Sequence, residues 1–192
     1  MTESEYYKKY MQLTENRYAT DKSLVEDFYI ETVQNNDMLA DAVEEQSILW
    51  CDDIDFALIM VVRTLENCRE KQDELPLRRE YKSEDDLAFT KELFRKTIVN
   101  FTEYQEYIEK FTTNWDVERI AFLDNIIIAC AMAEILCFDS IPVKVTLDEY
   151  IEIAKYYSTP ASSLFINGVL DKIVEALRSE DRIHKTGRGL LE

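Results

Sequence analysis

Three glycines and three prolines in 192 residues leave this chain few places to turn sharply. All-β folds draw far more heavily on turn residues, so this scarcity already favours helices. What remains is a chain whose apolar residues recur at helical spacing almost throughout. We therefore expect an all-α protein.

The pattern resolves into segments. Residues 4–17 read as a helix rich in tyrosine, with Tyr6, Tyr7 and Tyr10. Thr20 and Asp21 offer an N-cap to a second helix carrying Leu24, Val25, Phe28, Tyr29 and Val33. Asn35, Asn36 and Asp37 break it, and Met38 to Gln46 reads as a short helix. Asp52 and Asp53 open a strong helix through Arg69, with the stripe Ile54, Leu58, Val61, Val62 and Leu65. Acidic residues at that end suit the helix dipole.

Residues 71–82, with Pro76 and many charges, form the clearest linker. Ser83 then caps a long helix, with Asp86 three residues on. Phe89, Leu93, Phe94, Ile98, Phe101, Tyr104 and Ile108 supply its expected buried face. After a break at Asn114 to Asp116, a helix from Val117 to Phe138 carries Ile120, Leu123, Ile127, Cys130 or Ala131, and Ile135. Thr146 and Glu149 have the spacing of a capping box. Ser158-Thr159-Pro160 reads as another helix start, with proline at the first position. The last helix runs to about Arg178. The linker divides the chain into an N-terminal helical subdomain (1–80), a C-terminal helical bundle (83–180) and a polar tail (181–192).

Charge narrows the function. The formal net charge is −17. Residues 1–80 hold 9 Lys and Arg against 19 Asp and Glu, and residues 81–192 hold 13 against 20. An acidic surface repels phosphate at long range, so nucleic acid could be held only at a local site. Lys172, Arg178, Arg182, Lys185 and Arg188 gather near the end and read as a solvated helix end, where cations suit the dipole. Cys51, Cys68, Cys130 and Cys137 form no C-x-x-C pair and read as small buried residues of a reduced, cytoplasmic protein.

No enzymatic constellation emerges. His184 is the one histidine, so no second imidazole is available for a di-metal or relay site. Phosphate-cradling glycine loops and nucleophile-elbow motifs are missing from the sequence. We expect no catalytic residues, no metal and no cofactor. Glu134 lies in an apolar stretch, and a buried carboxylate needs partners. We read it as structural, accepting backbone N–H groups at a neighbouring helix start. Gly168 falls mid-helix, where it costs about 1 kcal/mol relative to Ala, and we read it as a close approach of another helix. Asn167 has two readings, a bond to the adjacent loop or a face toward a ligand. Phe165 is either core or a stacking platform.

The segment Ile141–Leu177 reads IPVKVTLDEYIEIAKYYSTPASSLFINGVLDKIVEAL. Its run Pro142, Val145, Leu147, Asp148, Glu149, Ile151, Glu152, Ile153, Ala154, Lys155, followed after a short loop by Phe165-Ile-Asn-Gly-Val-Leu-Asp171, is similar to the C-terminal region of the NusB family. Upstream, Asp124 to Leu136 resembles that family's D-R-A-x-L-R-x-A-x-Y-E-L-L helix, and Trp115 with Arg119 matches a W-x-x-x-R that precedes it. Glu92, Leu93 and Asn100 match an earlier helix more weakly. The resemblance spans about residues 88–177. It implies a NusB-like fold of two packed helical bundles and a transcription antitermination factor that binds boxA RNA together with NusE, a small-subunit ribosomal protein. By position it assigns Phe165, Asn167, Lys155 and Lys144 to RNA, and Glu118 and Asp124 to the partner protein. NusB-like domains also occur as non-catalytic parts of ribosomal RNA cytosine methyltransferases, and a scaffold that binds protein but not RNA is a further alternative.

The chain departs from the family pattern in three ways. Residues 1–20 hold only Lys8, Lys9 and Arg17 where the family begins with an arginine-rich RNA-binding helix. Asn125 and Ala129 stand where the family has arginines. The 80 residues before the linker are also long for the portion they would replace.

Overall fold

The computed structural model describes residues 2–15, 17–72, 74–75, 77, 79, 81–112 and 121–191. It divides into two compact units, residues 1–80 and 81–192. No strand occurs among the described residues. No helix among them is long and apolar enough to cross a membrane.

In the first unit, α1 (Glu5–Met11) is shorter than its tyrosine-rich segment suggested. α2 (Tyr18–Asp27) runs on into a wider π-helical stretch, Phe28–Val33. Asn36 ends that path and caps α3 (Asp37–Glu44), its side chain accepting from the Leu39 N–H at 3.1 Å. α4 (Trp50–Asn67) is the long helix of the unit. Polar links join these elements: the Tyr6 and Thr32 hydroxyls share a 2.6 Å bond, and Lys22 donates to the Glu66 carbonyl at 2.7 Å. Tyr6 is the one buried side chain among the described residues of this unit.

The second unit holds the core. α5 (Glu84–Val99) starts at the expected capping box, Ser83 accepting from the Asp86 N–H and Asp86 from the Ser83 N–H. The single long helix expected beyond it is broken. The Asn100 side-chain amide donates back to the Lys96 carbonyl at 2.9 Å, competing with the backbone ladder, and α6 (Phe101–Thr112) begins anew. The inward face runs on through the break at helical spacing. Thr97, Tyr104, Ile108 and Thr112 are buried, whereas Phe94 and Ile98, expected inside, are exposed.

α7 (Phe122–Cys137) is the central helix and packs against α5, α6, α8 and α9. It is apolar nearly all round, as a helix surrounded by neighbours must be. Ala129, Ala131 and Ala133 are fully buried, and their small side chains admit neighbouring helices closely. α8 (Val143–Tyr157) starts a turn earlier than the Thr146 capping box predicted, behind Pro142. α9 (Ser162–Ser179) starts after Pro160, which lies in the bend and not at the first helical position.

Beyond α9 the chain turns back through Asp181, whose φ of 53° is one Asp tolerates. The segment that follows docks on its own unit. The Thr186 N–H and the Lys185 ammonium each donate at 2.9 Å, to the Asp139 and Phe138 carbonyls. Gly189 sits so close that a Cβ there would lie 1.9 Å from the Asp139 carbonyl oxygen. Arg182 donates to the Tyr107 hydroxyl at 2.9 Å and to Glu103 at 2.6 Å. Arg182 and Lys185, read from sequence as solvated, are therefore held against the unit, and burial pushes the Lys185 ammonium below its usual range.

Candidate functional site

The residues assigned by resemblance centre on the bend between α8 and α9. Polar side chains fix that bend. Ser162, in the first turn of α9, donates to Asp124 of α7 at 2.9 Å and accepts the Thr159 N–H at 3.2 Å. Ser158 donates to the other Asp124 oxygen and lies 3.0 Å from Ser162. Both carboxylate oxygens are thus engaged, and Asp124 is only 4% exposed. An acid expected to face a partner protein points inward instead, because two hydroxyls at the bend solvate it. Asp124 is better described as the post on which the bend is hung. Glu118, with Trp115 and Arg119, lies outside the described residues.

On the far side of the bend, α9 turns toward solvent. Phe165 is half-buried and packs on the edge of the core, so part of its ring remains outside. Asn167 is half-buried too, and it makes no hydrogen bond among the described residues. Leu164 is 79% exposed. Lys155, three residues before the bend, pairs with Glu152 in an exposed ion pair that leaves the ammonium open to further partners. Lys144 is exposed but belongs to the first turn of α8, about 16 Å along the axis from Lys155. Lys155 and Phe165 thus flank the bend along the chain, Asn167 follows Phe165 on a different face of α9, and Lys144 lies at the other end of α8.

Gly168 overturns its expected reading. It is exposed, and a Cβ placed on it would meet nothing within 4 Å among the described residues. Packing among the described residues does not require this glycine.

Glu134 is buried, as expected, but its partners differ. Thr146 donates to it at 2.8 Å and Tyr150 at 3.2 Å, both hydroxyls of α8 and neither a backbone N–H. Thr146 is thereby taken from the capping role its spacing suggested. Burial raises the Glu134 carboxyl above its usual range, and the two hydroxyls partly offset that rise. Burial also raises the Cys130 thiol, which suppresses the thiolate a nucleophile needs. No group of three or more His, Cys, Asp or Glu that could hold a metal occurs among the described residues.

A sequence profile of the NusB family matches residues 54–175, nearly two thirds of the chain. The chain belongs to the NusB family. The match begins within α4, well before the stretch 88–177 on which the resemblance was read. Relatives named transcription antitermination protein NusB include one from Salinibacter ruber, 48% identical over 103 residues, which are 54% of this chain and 64% of that protein. Another, from Chloroherpeton thalassium, is 39% identical over 104 residues, 54% of this chain and 49% of that protein. A third, from Natranaerobius thermophilus, is 38% identical over 100 residues, 50% of this chain and 72% of that protein. The chain thus spans from just under half to just under two thirds of the length of the first two NusB relatives. A solved NusB structure from T. maritima aligns over 62% of this chain and 75% of its own, at 29% identity and a TM-score of 0.43. The names these NusB proteins bear describe transcription antitermination and no catalysis.

Three features of the bend escaped the sequence reading. The partnership of Asp124 with Ser158 and Ser162 joins residues more than 30 positions apart, and no local pattern signals it. The exposure of Leu164 and the open space over Gly168 depend on which face of α9 its neighbours cover.

Proposed function

We propose that this chain acts in transcription antitermination as a binding module, taking boxA-type RNA in concert with a NusE-type ribosomal protein. Such work belongs to the cytoplasm. The observation that carries the reading is the family match over residues 54–175, which includes the Phe165-Ile-Asn-Gly168 run at the start of α9. In this reading Phe165 offers part of its ring to a base, Asn167 supplies its amide from a neighbouring face of α9, and Lys155 meets phosphate at the bend. Lys144 would meet phosphate farther along α8. Glu118 is kept as the acidic residue toward the partner, while Asp124 serves the bend from within. An acidic chain suits a basic ribosomal protein, since complementary charge speeds encounter and selects partners.

The test is fluorescence anisotropy with a labelled boxA-type RNA, with and without the NusE-type protein, at two salt concentrations. We expect binding that strengthens with the partner and weakens as salt rises, through counterion release. Phe165→Ala should lose about tenfold or more in affinity, the stacking of one base. Equal binding to boxA-type and scrambled RNA, or no complex with the partner present at low salt, would end this reading.

A further inference from the structure

Gly168 is a bare spot in the second turn of a well-packed helix. Its φ is helical, its Cβ direction is open, and no described residue approaches it. Alanine would therefore fit and would favour the helix. A residue that weakens its own helix and packs against nothing in the described fold points to a contact from outside the chain.

The neighbourhood narrows what that contact is. Leu164, one turn earlier on the same side of α9, is largely exposed and apolar. Asp171 and Lys172, one turn later, and Glu175, two turns later, are exposed charged residues. A phosphate laid over Gly168 would meet two negative charges against one positive. An uncharged group would meet an apolar edge, a flat stretch of main chain and the Asn167 amide. Phe165 lies three residues back, about 4.5 Å along the axis and within reach of an adjoining nucleotide.

We propose that Gly168 is left without a side chain so that a base or ribose of bound single-stranded RNA can lie against the α9 main chain, beside the nucleotide that stacks on Phe165. Gly168 is then a contact residue for RNA, and its role is steric: any Cβ would lift the nucleotide off the helix. This rests on the RNA-binding reading given above.

The experiment compares the full chain with its Gly168→Ala and Phe165→Ala variants. It uses thermal unfolding together with anisotropy on a boxA-type RNA, with the NusE-type protein present. Gly168→Ala should melt about 2–6 °C higher than the unmodified chain, as a helix freed of a glycine does. It should also bind the RNA about tenfold more weakly, a loss of about 1.4 kcal/mol. Unchanged affinity for Gly168→Ala alongside a weakened Phe165→Ala would overturn this inference and leave the RNA reading standing. A lowered melting temperature would overturn it too, since the glycine would then be required by the fold. Failure of the unmodified chain to bind would remove both.

Discussion

The two units are built from the same kind of helix and reach opposite states. In residues 81–192, α7 is enclosed on all sides and Ile128, Met132, Ile166, Leu170, Ile173 and Leu177 are fully buried. In residues 1–80, Tyr6 alone among the described residues is buried, while Met38, Leu49, Phe56, Leu75 and Leu77 are more than half exposed. Apolar content is not what separates them. α4 has as strong a stripe as α9, yet it also carries a second apolar face, where Trp50, Phe56, Met60 and Val61 line an open groove with Leu75 and Leu77. A helix with two apolar faces satisfies only one of them against a single layer of neighbours. Amphipathic pattern makes helices in both units, but only enclosure makes a core.

Native-state hydrogen exchange would break or sharpen this contrast most directly. Amides in the middle of α7 and α9 should exchange more slowly than those of α2 and α4 by on the order of a hundredfold or more, as stability follows burial. Equal protection would show that the first unit is held by something its own packing does not supply. Next in size is a pair of truncations read by urea unfolding. Leu170→Ala removes a fully enclosed side chain and should cost about 2–5 kcal/mol. Leu58→Ala, at a half-buried position of α4, should cost less than half as much.

Gly189→Ala comes third. Its Cβ would collide with the Asp139 backbone, which cannot swing aside as a side chain can, so a loss of about 1–3 kcal/mol is expected. The matching substitution at Gly168 should stabilise, so the two glycines of one unit move in opposite directions. The smallest effect is a pH dependence. Burial lifts Glu134 above the ordinary glutamate value of 4.5, so the folded chain holds a proton that the unfolded chain releases. That contribution is full below the ordinary value and is lost as pH rises through the folded one. Glu134→Gln stays neutral, so its stability relative to the unmodified chain should improve as pH climbs from about 4.5. A flat difference across that range would show that the hydroxyls of Thr146 and Tyr150 fully offset the burial.

Much of this was legible before any coordinates. Helical class followed from the scarcity of turn residues, and the Ser83 cap was read correctly with its Asp86 partner. The family was legible from Pro142 to Asp171, because ordered identities over two helices are specific in a way that periodicity is not. Errors arose where one side chain had two possible uses. Thr146 has cap spacing, but a buried carboxylate on α7 claims its hydroxyl. The long helix expected from Ser83 ends at Asn100, whose amide bonds back to Lys96, and Phe94 and Ile98 lie on the face of α5 that its neighbours leave uncovered. Asp124 sits where the family pattern suggested a surface, yet two serines of a distant bend draw it inside. The uses of Thr146 and Asp124 depend on residues in another helix, which no window along the chain contains. Phe165 and Asn167 stand out in the sequence only through the family run, and the open ground around Gly168 leaves no mark there.

The docked segment after α9 also sets an order of events during synthesis. Tyr107 and Glu103 wait some 75 to 79 residues for Arg182, and the Phe138 and Asp139 carbonyls wait 47 for Lys185 and Thr186. Until residues 182–189 have left the ribosome, those groups can be satisfied only by water. α6 is already held by its buried Tyr104, Ile108 and Thr112, so what the late segment adds is the fastening of its polar edge and of the turn between α7 and α8. A ribosome stalled just short of that segment would display a bundle with its core packed and that edge still open to water.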